Sequence, residues 1–238
     1  MPSLSQMLKL LPLILLILYS VAMWRFSALR TRRELAANST PLTHPLLAPM
    51  LARLGRAMDL PPVRARVYEI DAVNGLAAPD GSIYLTRGFL DRLDRGAVTV
   101  EELASVVAHE LGHVAHGHTR RRMVDFAGQN LIGIVLTGVL ARIIPGLGPM
   151  LGNLVARLIA ARLSRQDEFE ADAFAAALMT KAGLGTAPQK SLFAKLDRLA
   201  GGGGGAQAAW LASHPPAQQR IQAIEALEAR WQGSPPRG

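Results

Sequence analysis

His109-Glu110-Leu111-Gly112-His113 puts two imidazoles four positions apart with a carboxylate between them. On a helix, positions i and i+4 share a face, so both rings can reach one metal ion while Glu110 stands one step round beside them. Imidazole nitrogens suit zinc, and a carboxylate beside the metal suits removal of a proton from water. The spacing therefore predicts hydrolysis at a zinc centre of one ion per chain. His109 and His113 are the ligands, and Glu110 is the general base that later passes the proton to a leaving amine.

A catalytic zinc takes three protein ligands and keeps the fourth position open. The chain has no cysteine, so a second segment must supply His, Asp or Glu. His116 and His118 lie close by, but the metzincin pattern needs Gly at position 116 and His at 119, where this chain has His116 and Thr119. A third imidazole next to His113 on one helix would also crowd the metal from one side. Both are read as solvated or helix-terminal histidines favoured by the negative end of the dipole. The stretch from Ser164 to Asp172 offers more. Glu168 and Asp172 share a helix face, with Phe169, Ala173, Ala176 and Ala177 as an apolar stripe. One of these carboxylates can bind the metal while the other orients a ligating imidazole through its free N–H. Glu170 points elsewhere and is read as a solvated surface carboxylate.

The elements that must position these groups have their own signals. Thr99 with Glu102 makes a capping box, and Leu103, Val106, Val107, Glu110 and Val114 recur at helical spacing, so a helix starts near Val100. Ala72 to Ala78, Pro79-Asp80-Gly81 and Ser82 to Thr86 read as strand, turn, strand. An edge strand beside a metal can hold an extended peptide by backbone hydrogen bonds, which makes Asn74, Gly75, Leu76 and Ala77 candidate substrate contacts. His214 precedes two prolines on a rigid, non-helical stretch suited to aiming a side chain into a cleft. Elsewhere the pattern predicts a helix from His44 to Met58, a first strand from Val63 to Ile70, a flexible loop at Gly201 to Gly205 and a terminal helix from Gln218 to Trp231.

The two motifs, the segment from Asn74 to Gly88, and Ser213-His214-Pro215-Pro216 followed by Arg220-Ile221 resemble the membrane zinc peptidases that include the heat-shock protease HtpX and the CAAX prenyl proteases. The likeness covers about residues 44 to 231. It implies that Glu168 binds zinc and that Asp172 orients a ligand. It also implies that the strand from Asn74 to Ala78 borders the cleft, and that His214 and Arg220 lie near the reacting carbonyl as donors to its oxyanion. Gly75-Leu76 departs from the Ala-Phe that relatives commonly carry. The chain is too short to build the enclosed multi-helix chamber of CAAX processing, so the resemblance favours membrane-protein quality control.

At 238 residues with a net charge of +8, the chain holds one ordinary domain plus a membrane element. Nucleic acid is not an expected partner, because aromatic residues are only 5% and the positive charges form no reading helix. Arg25, Arg30, Arg32 and Arg33, and again Arg120 to Arg122, are better placed for anionic lipid headgroups. Leu4 to Phe26 is long enough to span a bilayer as an anchor if Lys9 and Arg25 reach the interfaces. Ser20-Val21-Ala22 also fits a signal-peptide cleavage site. The arginines bias that flank, and the catalytic domain with it, to the cytoplasmic side of a bacterial-type inner membrane, with a periplasmic enzyme as the alternative. Between the zinc motifs, residues 126–163 read as a hydrophobic helical hairpin broken at Pro145-Gly146 and Gly148-Pro149, lying on the bilayer or dipping into it.

The expected fold is α+β and mainly helical, a zincin-like domain over 31–232 with a small edge sheet. An N-terminal membrane helix occupies 1–30, and residues 233–238 form a flexible tail. The expected function is a zinc endopeptidase acting on protein or peptide substrates. Its rivals are a catalytically silent, chaperone-like binder with the same cleft, and a structural membrane protein with a fortuitous motif. The latter leaves Glu168 and Asp172 unexplained.

Overall fold

The computed structural model describes residues 29–78, 80–118, 148–200 and 216–233, with scattered helical positions between 15 and 26. The chain divides into two compact units, one of Met1–Ala37 with Arg120–Leu158 and one of Asn38–Thr119 with Ile159–Gly238. In the first unit the described residues are helical, including 29–37. Among the described residues no helix is long and apolar enough to cross a membrane. Most of the expected anchor, the first arm of the hairpin, the five-glycine loop, His214 and the tail beyond Gly233 lie outside the described residues.

In the second unit the strands are β1 (Ser39–Pro41), β2 (Ala65–Tyr68), β3 (Gly75–Ala77) and β4 (Ile83–Thr86). The helices are α1 (Leu47–Ala57), α2 (Arg87–Asp94), α3 (Val100–Ala115), α4 (Gly148–Lys181), α5 (Ala187–Ala200) and α6 (Ala217–Gly233). The first residues of α4 belong to the other unit. The sheet order is β1-β2-β4-β3, with β2 parallel to β4 and both outer pairings antiparallel. The strand-turn-strand expectation holds, and β3 is an edge. Val63 to Ile70 does not hold the first strand, because β1 precedes it. Leu54, Leu85, Phe89 and Leu103 are fully buried where the sheet meets the helices, each contributing roughly 1.5–3 kcal/mol of transfer free energy.

α3 begins where the capping box places it. Thr99 Oγ1 accepts the Glu102 N–H at 3.2 Å, and Glu102 Oε2 accepts the Thr99 N–H at 2.9 Å. The buried Glu102 carboxylate also receives Ser191 Oγ at 2.6 Å and Lys195 Nζ at 2.7 Å, tying the start of α3 to α5. Two close approaches fix the sides of α3. A Cβ on Gly112 would stand 2.9 Å from both Cα and O of Ala171, so α3 and α4 touch through backbone. On Gly75 it would stand 2.6 Å from Val106 Cγ1. Glycine at this position lets β3 lie close against α3.

The second arm of the expected hairpin and the carboxylate motif are one continuous helix, α4, of 34 residues. Its buried face matches the expected stripe only in part, with Ala176 fully buried as expected. Glu168, Ala171, Asp172, Ala175 and Met179 are buried, whereas Phe169 and Ala173 are only partly so and Ala177 is exposed. The small alanines leave room for the two carboxylates to enter the interior beside α3.

Candidate metal centre

His109 and His113, one turn apart on α3, are 2% and 5% exposed, and Glu168 on α4 is 1% exposed. The Nε2 atoms of the two histidines are 3.1 Å apart. Glu168 brings Oε2 to 3.3 Å from His109 Nε2 and Oε1 to 3.4 Å from His113 Nε2. A tetrahedral ion with bonds of about 2.0–2.1 Å needs ligand atoms about 3.3–3.4 Å apart. The approaches between the three side chains, one Glu168 oxygen to each imidazole, fall close to that spacing, so the set suits zinc. It joins the three residues the sequence reading named as ligands, and their ligand atoms form a metal-capable group.

Glu110 is also buried, and its Oε1 would lie 3.5 Å from a Cβ built on Gly75. The carboxylate read as a base thus lies on the side of α3 that meets the edge strand. Asn74 anchors β3 to β4, its N–H donating to Thr86 Oγ1 at 2.9 Å and its carbonyl accepting Thr86 N–H at 3.0 Å.

Behind His109 stands a charged pair. His109 Nδ1 is 2.8 Å from Asp172 Oδ1, and Asp172 takes Arg220 Nε on Oδ2 and Arg220 Nη2 on Oδ1, both at 2.6 Å. The guanidinium lies 4.0 Å over the Phe193 ring, and Gln189 Nε2 donates to the Asp172 carbonyl at 3.3 Å. Burial pushes the Asp172 carboxyl up, but the Arg220 charge and the hydrogen bonds outweigh it and hold the group at about 2. Burial likewise pulls His109 down, while its bonds to Asp172 and Glu168 outweigh that and raise it to about 9.

This geometry corrects one expectation. Arg220 is 1% exposed and bonds on the Nδ1 side of His109, with Nη2 3.3 Å from Nδ1. Nε2 is the edge of that ring that faces His113 and Glu168, so the guanidinium stands on the opposite side of the imidazole rather than where a carbonyl would react. The reason is electrostatic, since a buried carboxylate requires a partner and Arg220 supplies a two-pronged one.

His118 and Glu170 also depart from the solvated readings given them. His118 is fully buried, with Nδ1 3.0 Å from His113 Nδ1 and Nε2 3.0 Å from Glu170 Oε2. Glu170 is 35% exposed, and bonds from Gln166 and His118 hold its carboxyl below the usual range. The missed signal was Gly117. α3 caps at His116, and Gly117 at φ 67° turns the chain back, which folds His118 under His113. His116 itself is exposed, as expected. α5, another missed element, supplies Gln189, Phe193, Ser191 and Lys195 to the supports of α3 and α4.

The sequence profile of Peptidase family M48 matches residues 41–228. The chain belongs to that family. Its M48 match covers α1 to α5 and most of α6, and includes His109, Glu110, His113 and Glu168. Two relatives from Escherichia coli (strain K12) are the metalloproteases LoiP and YcaL, each 31% identical, over 72% and 75% of this chain. The chain spans 65% and 67% of their lengths. A protease HtpX homolog from Salinibacter ruber is 27% identical over 89% of this chain and 85% of its own. The resemblance read from the two motifs is thereby borne out at the level of the family.

Proposed function

We propose that this M48 chain is a zinc-dependent endopeptidase that cuts protein substrates laid along β3, with His109, His113 and Glu168 as the metal ligands. The observation that carries the reading is the meeting of the two imidazoles at 3.1 Å with one Glu168 oxygen at 3.3–3.4 Å from each, and the Glu110 carboxylate on the helix of the histidines. A zinc ion held there supplies Lewis acidity, polarising a carbonyl and easing loss of a proton from water. Glu110 takes that proton as the water oxygen bonds to the peptide carbon, and delivers it to the amine as the C–N bond breaks. Asp172, backed by Arg220, fixes the His109 ring through Nδ1. His214 keeps its sequence-based role as donor to the oxyanion.

The edge position of β3 supports substrate binding at Asn74 to Ala77, since an extended peptide can add to an edge by main-chain hydrogen bonds. Protein quality control at a bacterial inner membrane is the biological setting this reading favours. The apolar run from Leu4 to Phe26 serves as its anchor, and the arginines after it face anionic lipid in the cytoplasmic leaflet. The test compares the proteomes of cells carrying the wild type and Glu110→Gln. Membrane-associated proteins should accumulate in the variant, and identical proteomes would overturn the proteolytic reading in favour of a silent binder. A cytoplasm-dependent reporter fused after Trp231 should be active, whereas a mature chain starting at Met23 would move the enzyme to the periplasmic side.

A further inference from the structure

The two histidine ligands are supported differently. His109 rests on the charged Asp172–Arg220 pair, while His113 rests on another imidazole, with Nδ1 facing Nδ1 at 3.0 Å. Only one proton fits between those nitrogens. His113 turns Nε2 toward His109 and Glu168, so a neutral ring bound to metal through Nε2 carries its proton on Nδ1. That N–H donates to His118 Nδ1, which must then be the bare nitrogen. The proton of His118 accordingly sits on Nε2, where Glu170 Oε2 accepts it at 3.0 Å and Asp167 Oδ1 lies 3.6 Å away. Glu170 Oε1 accepts in turn from Gln166 Nε2 at 2.9 Å. Every donor in this series meets an acceptor under one assignment of protons.

We propose that His118, backed by Glu170, is a positioning residue that accepts the Nδ1–H of His113 and so fixes the tautomer and ring orientation of that metal ligand. The proposal rests on the zinc reading above. It also decides what the group His116, His118 and Glu170 is for. These three offer ligand atoms within 4.8 Å of one another and would suit a second cation by type alone. A cation on His118 Nε2 would drive the ring's proton to Nδ1, against the Nδ1–H of His113 at 3.0 Å. Two donors would then face each other in a buried site. Occupancy there opposes occupancy of the main centre, so the group acts as a support and not as a second metal site.

The test uses the full chain with His118→Leu and His118→Gln, measuring zinc affinity by chelator competition and the visible spectrum of the cobalt-substituted protein. Leucine can neither accept from His113 nor donate to Glu170. It should weaken zinc binding by roughly 10–100-fold and alter the cobalt bands. The glutamine amide can do both, so it should stay within a few-fold of wild type. Wild-type affinity in His118→Leu, or a loss in His118→Gln as large as in His118→Leu, overturns the proposal. If His118→Leu fails to fold, nitrogen-15 NMR of the zinc-loaded wild type decides. The expected signature is a bare Nδ1 and a protonated Nε2 on His118, and the opposite tautomer overturns it. A wild type that binds no zinc overturns the zinc reading itself, which is distinct from any result confined to the His118 variants.

Discussion

The Asp172 carboxylate and the Arg220 guanidinium meet through two nitrogen–oxygen pairs of 2.6 Å, and both side chains are 1% exposed. Breaking such a pair from one side leaves a buried charge without compensation. Arg220→Ala should therefore cost about 3–5 kcal/mol of folding stability in urea titrations. Arg220→Lys should recover little, because an ammonium cannot bond both carboxylate oxygens in a fork. Wild-type stability in Arg220→Ala would show that the pair does not support the site.

Asp172→Asn keeps the shape of the side chain and removes its charge. Zinc affinity should fall by roughly 10–100-fold, as happens when the group orienting a ligand imidazole is altered. Isothermal titration against a competing chelator measures this, and an unchanged affinity would separate Asp172 from the metal.

Glu110 and Glu168 should part company on substitution. Glu110→Gln is expected to abolish peptide hydrolysis while zinc stays near one per chain, whereas Glu168→Gln should lose most of the metal. Elemental analysis of the two purified variants checks both. Zinc loss in Glu110→Gln would make it a ligand rather than a base.

The backbone contact at Gly112 leaves no room for a methyl group, since the obstacle is Ala171 Cα and O at 2.9 Å. Gly112→Ala gains up to about 1 kcal/mol of helix propensity. The overpacking should outweigh it, giving a net loss of about 1–3 kcal/mol together with weaker zinc binding as α3 and α4 part. A thermal melt above wild type would contradict this.

Glu102 gives a prediction in pH. Burial pushes its carboxyl up, but bonds from Lys195, Ser191 and the Thr99 N–H outweigh that and hold it below the ordinary glutamate value of about 4.5. A carboxyl lowered by folding stabilises fully above its unfolded pKa and loses that contribution as pH falls through the folded one. Glu102→Gln should accordingly cost about 1.5–3 kcal/mol at neutral pH. The gap to wild type should narrow as pH falls below 4.5. Paired urea titrations across that range test it, and a gap that widens in acid would reverse the assignment.

The sequence made legible whatever is written within one helix or one turn. The start of α3, the shared face of His109 and His113, the Glu168/Asp172 spacing and the turn before β4 are all local patterns. What escaped depends on which remote residue arrives at a given place. Arg220 meets His109 across 111 positions, and no spacing rule specifies which side of the imidazole it reaches. β1 is only three residues long and ends in Pro41, too short and too proline-bound to show alternation. The apolar face of α4 is legible only in part, Ala176 being buried and Ala177 exposed, because alanines read as apolar wherever they point and the interior also takes the two carboxylates.

The anchoring of α3 has a consequence for how this chain can vary in length. The helix is held at its cap by Lys195, along one side by Ala171 and along another by β3, so it is an indexed part whose phase is set from outside. Adding or removing one residue between Thr99 and His109 would turn both histidines by about 100° and slide them about 1.5 Å. They would then face away from Glu168 whatever the substituted residue was. Indels in the turn between β3 and β4 leave that phase intact, whereas the stretch from Thr99 to His113 admits no change in count.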